Sequence, residues 1–284
     1  MSVCSINGRQ ISVIDGEVYV DGVHYVPEGE ANSSNSGPFK PGKMVDHIFD
    51  VSSDFSTIVS RGFMDVVFRQ SDKAEDFQVK GHLPENLIEK LNVYVEDDTL
   101  FISIKSGVYD LQLAGNQIPT IYVTNKVLKD VMTNGSGDFT IEGDFKAASG
   151  GFSVHGSGSS DFKAHHIDAK KTSVSLSTSG SGDINIDSAD CRIFMINISG
   201  SADVDCGEIT SEIASINIKG SGDVSISGKT DSVEFSIAGS GDIRAGGFKA
   251  KTGKASVAGS GDITCNVERL SDRVRGSGDI HNRY

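Results

Sequence analysis

Seven aspartates, the last six of them 17–20 residues apart, are the residues of this sequence best placed to do chemistry together. Asp138, Asp183, Asp203, Asp223, Asp242, Asp262 and Asp279 each close a four-residue motif, written Gly-Ser-Gly-Asp in all but Gly200–Asp203, where alanine takes the third place. Carboxylates in series can hold a cation, move a proton or cap a turn. Calcium takes about six to eight oxygens, usually several from one loop, and the glycine-rich calcium repeats have a period of about nine residues, which is not written here. A catalytic pair would break the repeat at one place and set its two carboxyls in different surroundings. These acids instead recur once per motif, as turn caps do when a side-chain oxygen accepts backbone N–H groups. They are read as a structural turn ladder, with cation binding along the column as the alternative. No catalytic, cofactor-binding or metal-binding residue is assigned.

The other reactive side chains are scattered. The repeat is disturbed at "GSGSSD", from Gly156 to Asp161, and by the pair His165-His166. An enzyme acting on an acidic polysaccharide would use Asp161 and Asp168 there. Adjacent histidines on a strand face opposite ways, which makes a poor two-ligand metal site. Cys4, Cys191, Cys206 and Cys265 form no C-x-x-C pair. Cys206 and Cys265 fall where other repeats carry isoleucine, so they read as small core hydrophobes. There is no nucleophile elbow, zinc helix or phosphate loop. A non-enzyme is the leading expectation.

The elements that position the aspartates follow from the spacing. The motif glycines align as Gly135, Gly156, Gly180, Gly200, Gly220, Gly239, Gly259 and Gly276, about 20 residues apart, with Ser159 in the usual aspartate slot of the second motif. Two and four residues before the glycine stand apolar side chains such as Ile216 and Ile218. One and three after the aspartate stand others such as Val224 and Ile226. That alternation marks two strands with one face inward. A weaker third mark at Phe145, Ile167, Ile209 and Phe248 implies a third short side. Three sides in about 20 residues make one coil of a parallel β-helix, with Gly-Ser-Gly-Asp as the corner repeated on every rung. Neighbouring carboxylates about 5 Å apart repel by roughly 0.8 kcal/mol in water. A charge-assisted bond to a backbone N–H contributes about 1.5–3 kcal/mol. Capping therefore wins on a wet column.

Residues 1–26 carry Asn-Gly and Asp-Gly turns between short alternating runs and are read as an amino-terminal β-hairpin segment. Residues 27–44, with three of the five prolines, are read as a linker, and residues 45–284 as the β-helix domain. Within it, Asp97-Asp98 turns a hairpin, and "LPENLIEKL" from Leu83 predicts one short helix with Pro84 in its first turn. The net charge of −13 argues against nucleic acid or anionic membrane as partner. No apolar run is long enough to span a bilayer, and no signal peptide or export address is visible.

Several segments in this order, "GFMDVVFRQSDKAEDFQVKG", "LPENLIEKLNVYVEDDTLFISIK", "IPTIYVTNKVLKDVMTNGSGDFTIEG" and then the ladder of "GSGD", resemble the bacterial head GIN domain family of auto-transporter adhesins. The resemblance runs from about Val45 to the carboxyl terminus. It implies an all-β, single-stranded, right-handed parallel β-helix in proteins commonly exported to the cell envelope, and it brings no established binding residues. The functional expectation is an adhesin-like module binding glycan or protein. A scaffold assembling as a homo-oligomer through solenoid ends or the amino-terminal hairpins is the alternative.

Overall fold

The computed structural model describes the strands between residues 2 and 24 and residues 40–105 and 118–284. Two compact units divide at Phe39 and Lys40. In the first, β1 (Ser2–Ile6), β2 (Arg9–Ile14), β3 (Glu17–Val20) and β4 (Val23–His24) pair antiparallel in sequence order. Most of the expected linker, residues 27–39, lies outside the described residues.

The second unit opens with β5 (Met44–Phe49), β6 (Thr57–Gly62) and β7 (Asp65–Gln70). Then come β8 (Gln78–Pro84), β9 (Leu91–Glu96), β10 (Thr99–Ile104) and β11 (Thr120–Asn125). The coils continue as β12 (Asp130–Gly135), β13 (Phe139–Lys146), β14 (Phe152–Gly158), β15 (Phe162–Thr178) and β16 (Ile184–Gly200). They finish with β17 (Val204–Thr210), β18 (Ile213–Gly220), β19 (Val224–Gly239), β20 (Ile243–Gly259), β21 (Ile263–Gly276) and β22 (Ile280–Asn282).

From β12 onward every pairing between named strands is parallel and joins one coil to the next, which makes the unit a parallel β-solenoid. Strands running into the corner glycine stack as an entry face, and strands leaving the aspartate stack as an exit face. In the longest strands one continuous run supplies both. Inward residues form columns: Ile196 over Ile216 over Phe235 on the entry face, and Val204 over Val224 over Ile243 on the exit face. The third side stacks Phe145, Ile167, Ala189 and Ile209. Seven phenylalanines, among them Phe68, Phe145 and Phe235, are fully buried and fill the tube.

The amino-terminal end of the solenoid is built out of sequence order. The corner at Gly62–Asp65 comes first in the chain, yet β10 and β11 lie beneath it, parallel to β6 and β7. Antiparallel β9 then covers β10, while β8 and β5 continue outward from β11. Asp97 and Asp98 both take positive φ, +46° and +61°, and close the hairpin of β9 and β10.

The segment from Leu83 departs from the helical expectation. β8 runs on through Pro84, which pairs with Met44, and only Ile88–Lys90 form a single 3-10 turn. Leu83 and Leu87 are both fully buried, and Leu87 N–H bonds Pro84 C=O at 2.8 Å. Burying both leucines against the sheet outweighs a helix start in a segment this short.

Candidate functional site

The corner shows why the motif reads as it does. At Gly239, φ is +153° and a Cβ would stand 2.0 Å from the carbonyl oxygen of Gly220 one rung below. Rungs pack backbone on backbone here, so the first residue needs both the conformation and the absent side chain. Ser240 N–H then bonds Gly220 C=O at 2.9 Å, and the same bond recurs from rung to rung.

The aspartates cap between rungs. Each Oδ1 accepts the backbone N–H of the aspartate in the next coil: Asp183 from Asp203, Asp203 from Asp223, Asp223 from Asp242, at 2.8–2.9 Å. The series continues through Asp242, Asp262 and Asp279. Two members were not in the sequence-derived set. Asp161 accepts from Asp183 and donates to Asp138, at 2.9 and 3.0 Å, so it belongs to the column. Asp65 accepts from Asp138 at 2.9 Å and begins it, its own N–H bonding Pro119 C=O at 3.0 Å. Burial raises the pKa of Asp65, opposed by the hydrogen bond from Asp138 N–H and aided by the Asp138 carboxylate.

The second corner is Gly158, not Gly156. Gly135 pairs with Gly158, and a Cβ on Gly180 would meet Gly158 O at 2.1 Å. Gly156 instead sits on the entry strand beside Thr178. The motif is thus Gly158-Ser159-Ser160-Asp161, with Asp161 directly in the aspartate slot. Gly156 and Ser157 are ordinary strand residues, paired one-to-one with Thr133 and Asn134, and the register shift of this coil lies in β13 between Ile141 and Asp144. The outer oxygens of the column meet cations at two places. Lys163 Nζ lies 3.7 Å from Asp138 and 3.6 Å from Asp161, and Arg244 lies 2.8 Å from Asp223 and 3.3 Å from Asp242. Among the described residues no group of three or more His, Cys, Asp or Glu side chains is placed to hold a metal ion.

The remaining candidates are not brought together. His165 pairs with Asp187 at 2.7 Å, which raises its pKa, while His166 faces Ser188 Oγ at 2.8 Å. Asp161 stands at the corner, whereas Asp168 lies on the third side, stacked between Lys146 and Asp190. Cys191, Cys206 and Cys265 are free and buried. Desolvation pushes the Cys191 thiol up to about 12 and raises the other two, so none is a ready nucleophile.

The two large faces differ in chemistry. The exit face carries ion pairs, Arg69–Glu142 at 2.7 Å and His165–Asp187 among them, together with the cations on the aspartate column. Lys126–Asp72, Lys170–Asp190 and Lys251–Asp231 lie along the third side and its corners. Among the described residues no ion pair lies on the entry face. Its central outward row starts with Tyr94, Phe101, Val59 and Met132 and continues through polar side chains, of which Asn197 and Asn217 are hydrogen-bonded at 3.3 Å. A separate groove of about 630 Å³ opens where loops replace the regular third side, between Phe55, Phe77, Lys73 and Lys126. Asn125 forms part of its lining and bonds the carbonyls of Ser53 and Phe55. No helix among the described residues is long and apolar enough to cross a membrane.

Comparison with known proteins agrees with this geometry. A search of curated proteins finds no match. Among solved structures, a "putative adhesin" from Parabacteroides merdae superposes with a TM-score of 0.69 at 17% identity, covering 88% of this chain and 100% of the other. One from Bacteroides fragilis gives 0.62 at 23%, covering 86% and 99%. A "putative lipid binding protein" from Parabacteroides distasonis gives 0.60 at 23%, covering 87% and 100%. At these identities the likeness is one of fold. The sequence model of the family described as "putative auto-transporter adhesin, head GIN domain" matches residues 54–226 and 174–283. The chain belongs to the head GIN domain family of auto-transporter adhesins.

Proposed function

We propose that this protein is a non-enzymatic, adhesin-like binding module that offers a flat solenoid face to a glycan or protein partner. One observation carries the reading: among the described residues the solenoid keeps its ion pairs to the exit face and third side and has none on the entry face. Ion pairs within a face satisfy its charges internally, whereas a face without them keeps its hydrogen-bonding and apolar groups free for a partner. Membership of an adhesin family supports the same direction, as does the dispersal of His165, His166, Asp161 and Asp168 over separate surroundings.

The test is a binding screen of the full chain against purified neutral and anionic polysaccharides and purified cell-surface and matrix proteins, with product analysis of every polysaccharide that binds. Saturable binding to at least one class without bond cleavage is expected. No binding across the panel at millimolar ligand, or release of new reducing ends, would overturn the reading.

A further inference from the structure

We propose that the amino-terminal end of the entry face is a stacking site for a neutral polysaccharide; this rests on the binding-module reading and deepens it. The outward row there crosses β9, β10, β6 and β12 as Tyr94, Phe101, Val59 and Met132. Tyr94 is 44% and Met132 43% exposed, so the row is open to solvent at both ends, while Val59 between them is buried at 9%. The Tyr94 and Phe101 rings stack with centroids 5.1 Å apart and planes 19° from parallel. Each ring holds the other, so presenting them to a ligand costs little side-chain freedom.

The solenoid does not need these side chains for its own stacking. In later coils the same row is filled by His155 and Ser177, then by Asn197 and Asn217. The outward position therefore tolerates polar residues, and its apolar filling is confined to four adjacent strands. The strip is one side chain wide. On one margin the register places Asn92, Ser103, Arg61 and Asn134, and on the other Glu96, Thr99, Thr57 and Asp130.

That cross-section selects the ligand. A pyranose ring has a C–H face that packs on an aromatic ring and a rim of hydroxyls that both donate and accept. A single-file apolar strip between two hydrogen-bonding margins matches it. A protein partner would call for a broader dry centre, and a membrane surface for a wider apolar or basic area. An anionic chain is disfavoured by a protein of net charge −13 whose margins here carry Glu96 and Asp130 against the single cation Arg61.

The test is affinity electrophoresis of the full chain in gels containing hydroxyethyl cellulose, glucomannan or dextran, with polygalacturonate as the anionic probe. Variants are Tyr94→Ala and Met132→Ser on the strip, and Tyr122→Ala, 44% exposed on the exit face, as the control. Met132→Ser introduces a residue type the row already carries at Ser177, so it keeps the test decisive if Tyr94→Ala impairs folding. At least one neutral polysaccharide is expected to retard the protein. Its Kd should rise about three- to tenfold in each strip variant and stay unchanged in Tyr122→Ala. Retardation that survives both strip variants, retardation lost only in Tyr122→Ala, or binding confined to polygalacturonate or to a protein would overturn the site and leave the binding module standing. No binding to any polysaccharide or protein of the wider panel would remove the underlying reading, and the site with it.

Discussion

Replacing Asp203 separates the two energies that meet in the aspartate column. Asp203 is exposed, accepts Asp223 N–H at 2.9 Å, and has carboxylate neighbours on the rungs to either side, Asp183 and Asp223. An exposed charge-assisted bond of this kind contributes about 1.5–2 kcal/mol, the lower part of its range. Two neighbours at about 5 Å cost roughly 1.6 kcal/mol in unscreened water, falling to about 0.9 kcal/mol at physiological salt. Asp203→Ala loses the bond and relieves the repulsion, so it should destabilise by about 1 kcal/mol. Asp203→Asn keeps an acceptor at about half the strength and relieves the same repulsion, for a net change near zero. Lowering the salt should stabilise both variants relative to the parent by a further ~0.5 kcal/mol, because the relieved repulsion is larger when unscreened. The assay is urea unfolding followed by circular dichroism, read from midpoint and slope. If the alanine and asparagine variants agree within about 0.3 kcal/mol, the inter-rung bond contributes nothing measurable and the capping argument is wrong.

Glycine substitutions should divide by rung contact. Gly239→Ala forces a Cβ into Gly220 O and should lower stability by several kcal/mol, whereas Gly143→Ala, with φ +77° and nothing within 4 Å, should cost only about 1–2 kcal/mol of backbone strain. Equal losses in thermal unfolding would contradict the backbone-on-backbone corner. Iodoacetamide at about pH 8 should leave Cys191, Cys206 and Cys265 unmodified in the native protein and label all three in guanidinium, read by peptide mass spectrometry. Labelling of the native form would contradict their burial. Asp187 holds the His165 pKa above its ordinary 6.5, so the pair's contribution is full below that value and is lost as pH rises through the higher folded value. An NMR titration of Asp187→Asn should bring His165 back toward 6.5, and an unmoved titration would refute the pairing.

Much of the solenoid was legible because its physics is periodic. An inward apolar pair before Gly220 and another after Asp223 are enough to draw both strands and the corner between them. Register is harder where a motif can be phased two ways. "GSGSSD" offers Gly156 and Gly158, and only the pairing of Gly135 with Gly158 chooses. Reading Ser159 as the aspartate slot followed from the wrong phase. Asp65 escaped notice because Gly62-Phe-Met-Asp65 lacks the middle Ser-Gly. At this first rung Met64 fits the third place, 1% exposed, whereas on the later rungs with glycine there a Cβ would meet the carbonyl below, as at Gly241, 2.0 Å from Gly222 O. The out-of-order end was hidden for a different reason: nothing local in β10 and β11 says that they lie beneath the rung the chain has already passed. The Tyr94–Phe101 strip has the same origin, since its row comes from four strands separated by up to 73 residues, from Val59 to Met132.

The stacked register itself is tested most directly by pulsed dipolar distances between spin labels on the entry face. Ser177 lies four rung steps from Ser256 and five from Arg273 along one row, through Asn197, Asn217 and Ser236. At about 4.8 Å per step, labels at 177 and 256 should lie about 19 Å apart, and those at 177 and 273 about 24 Å. Distances that rise by one rung per coil are the predicted result. Equal distances for the two pairs, or a second pair closer than the first, would contradict the stacking on which the corner ladder and the entry face both depend.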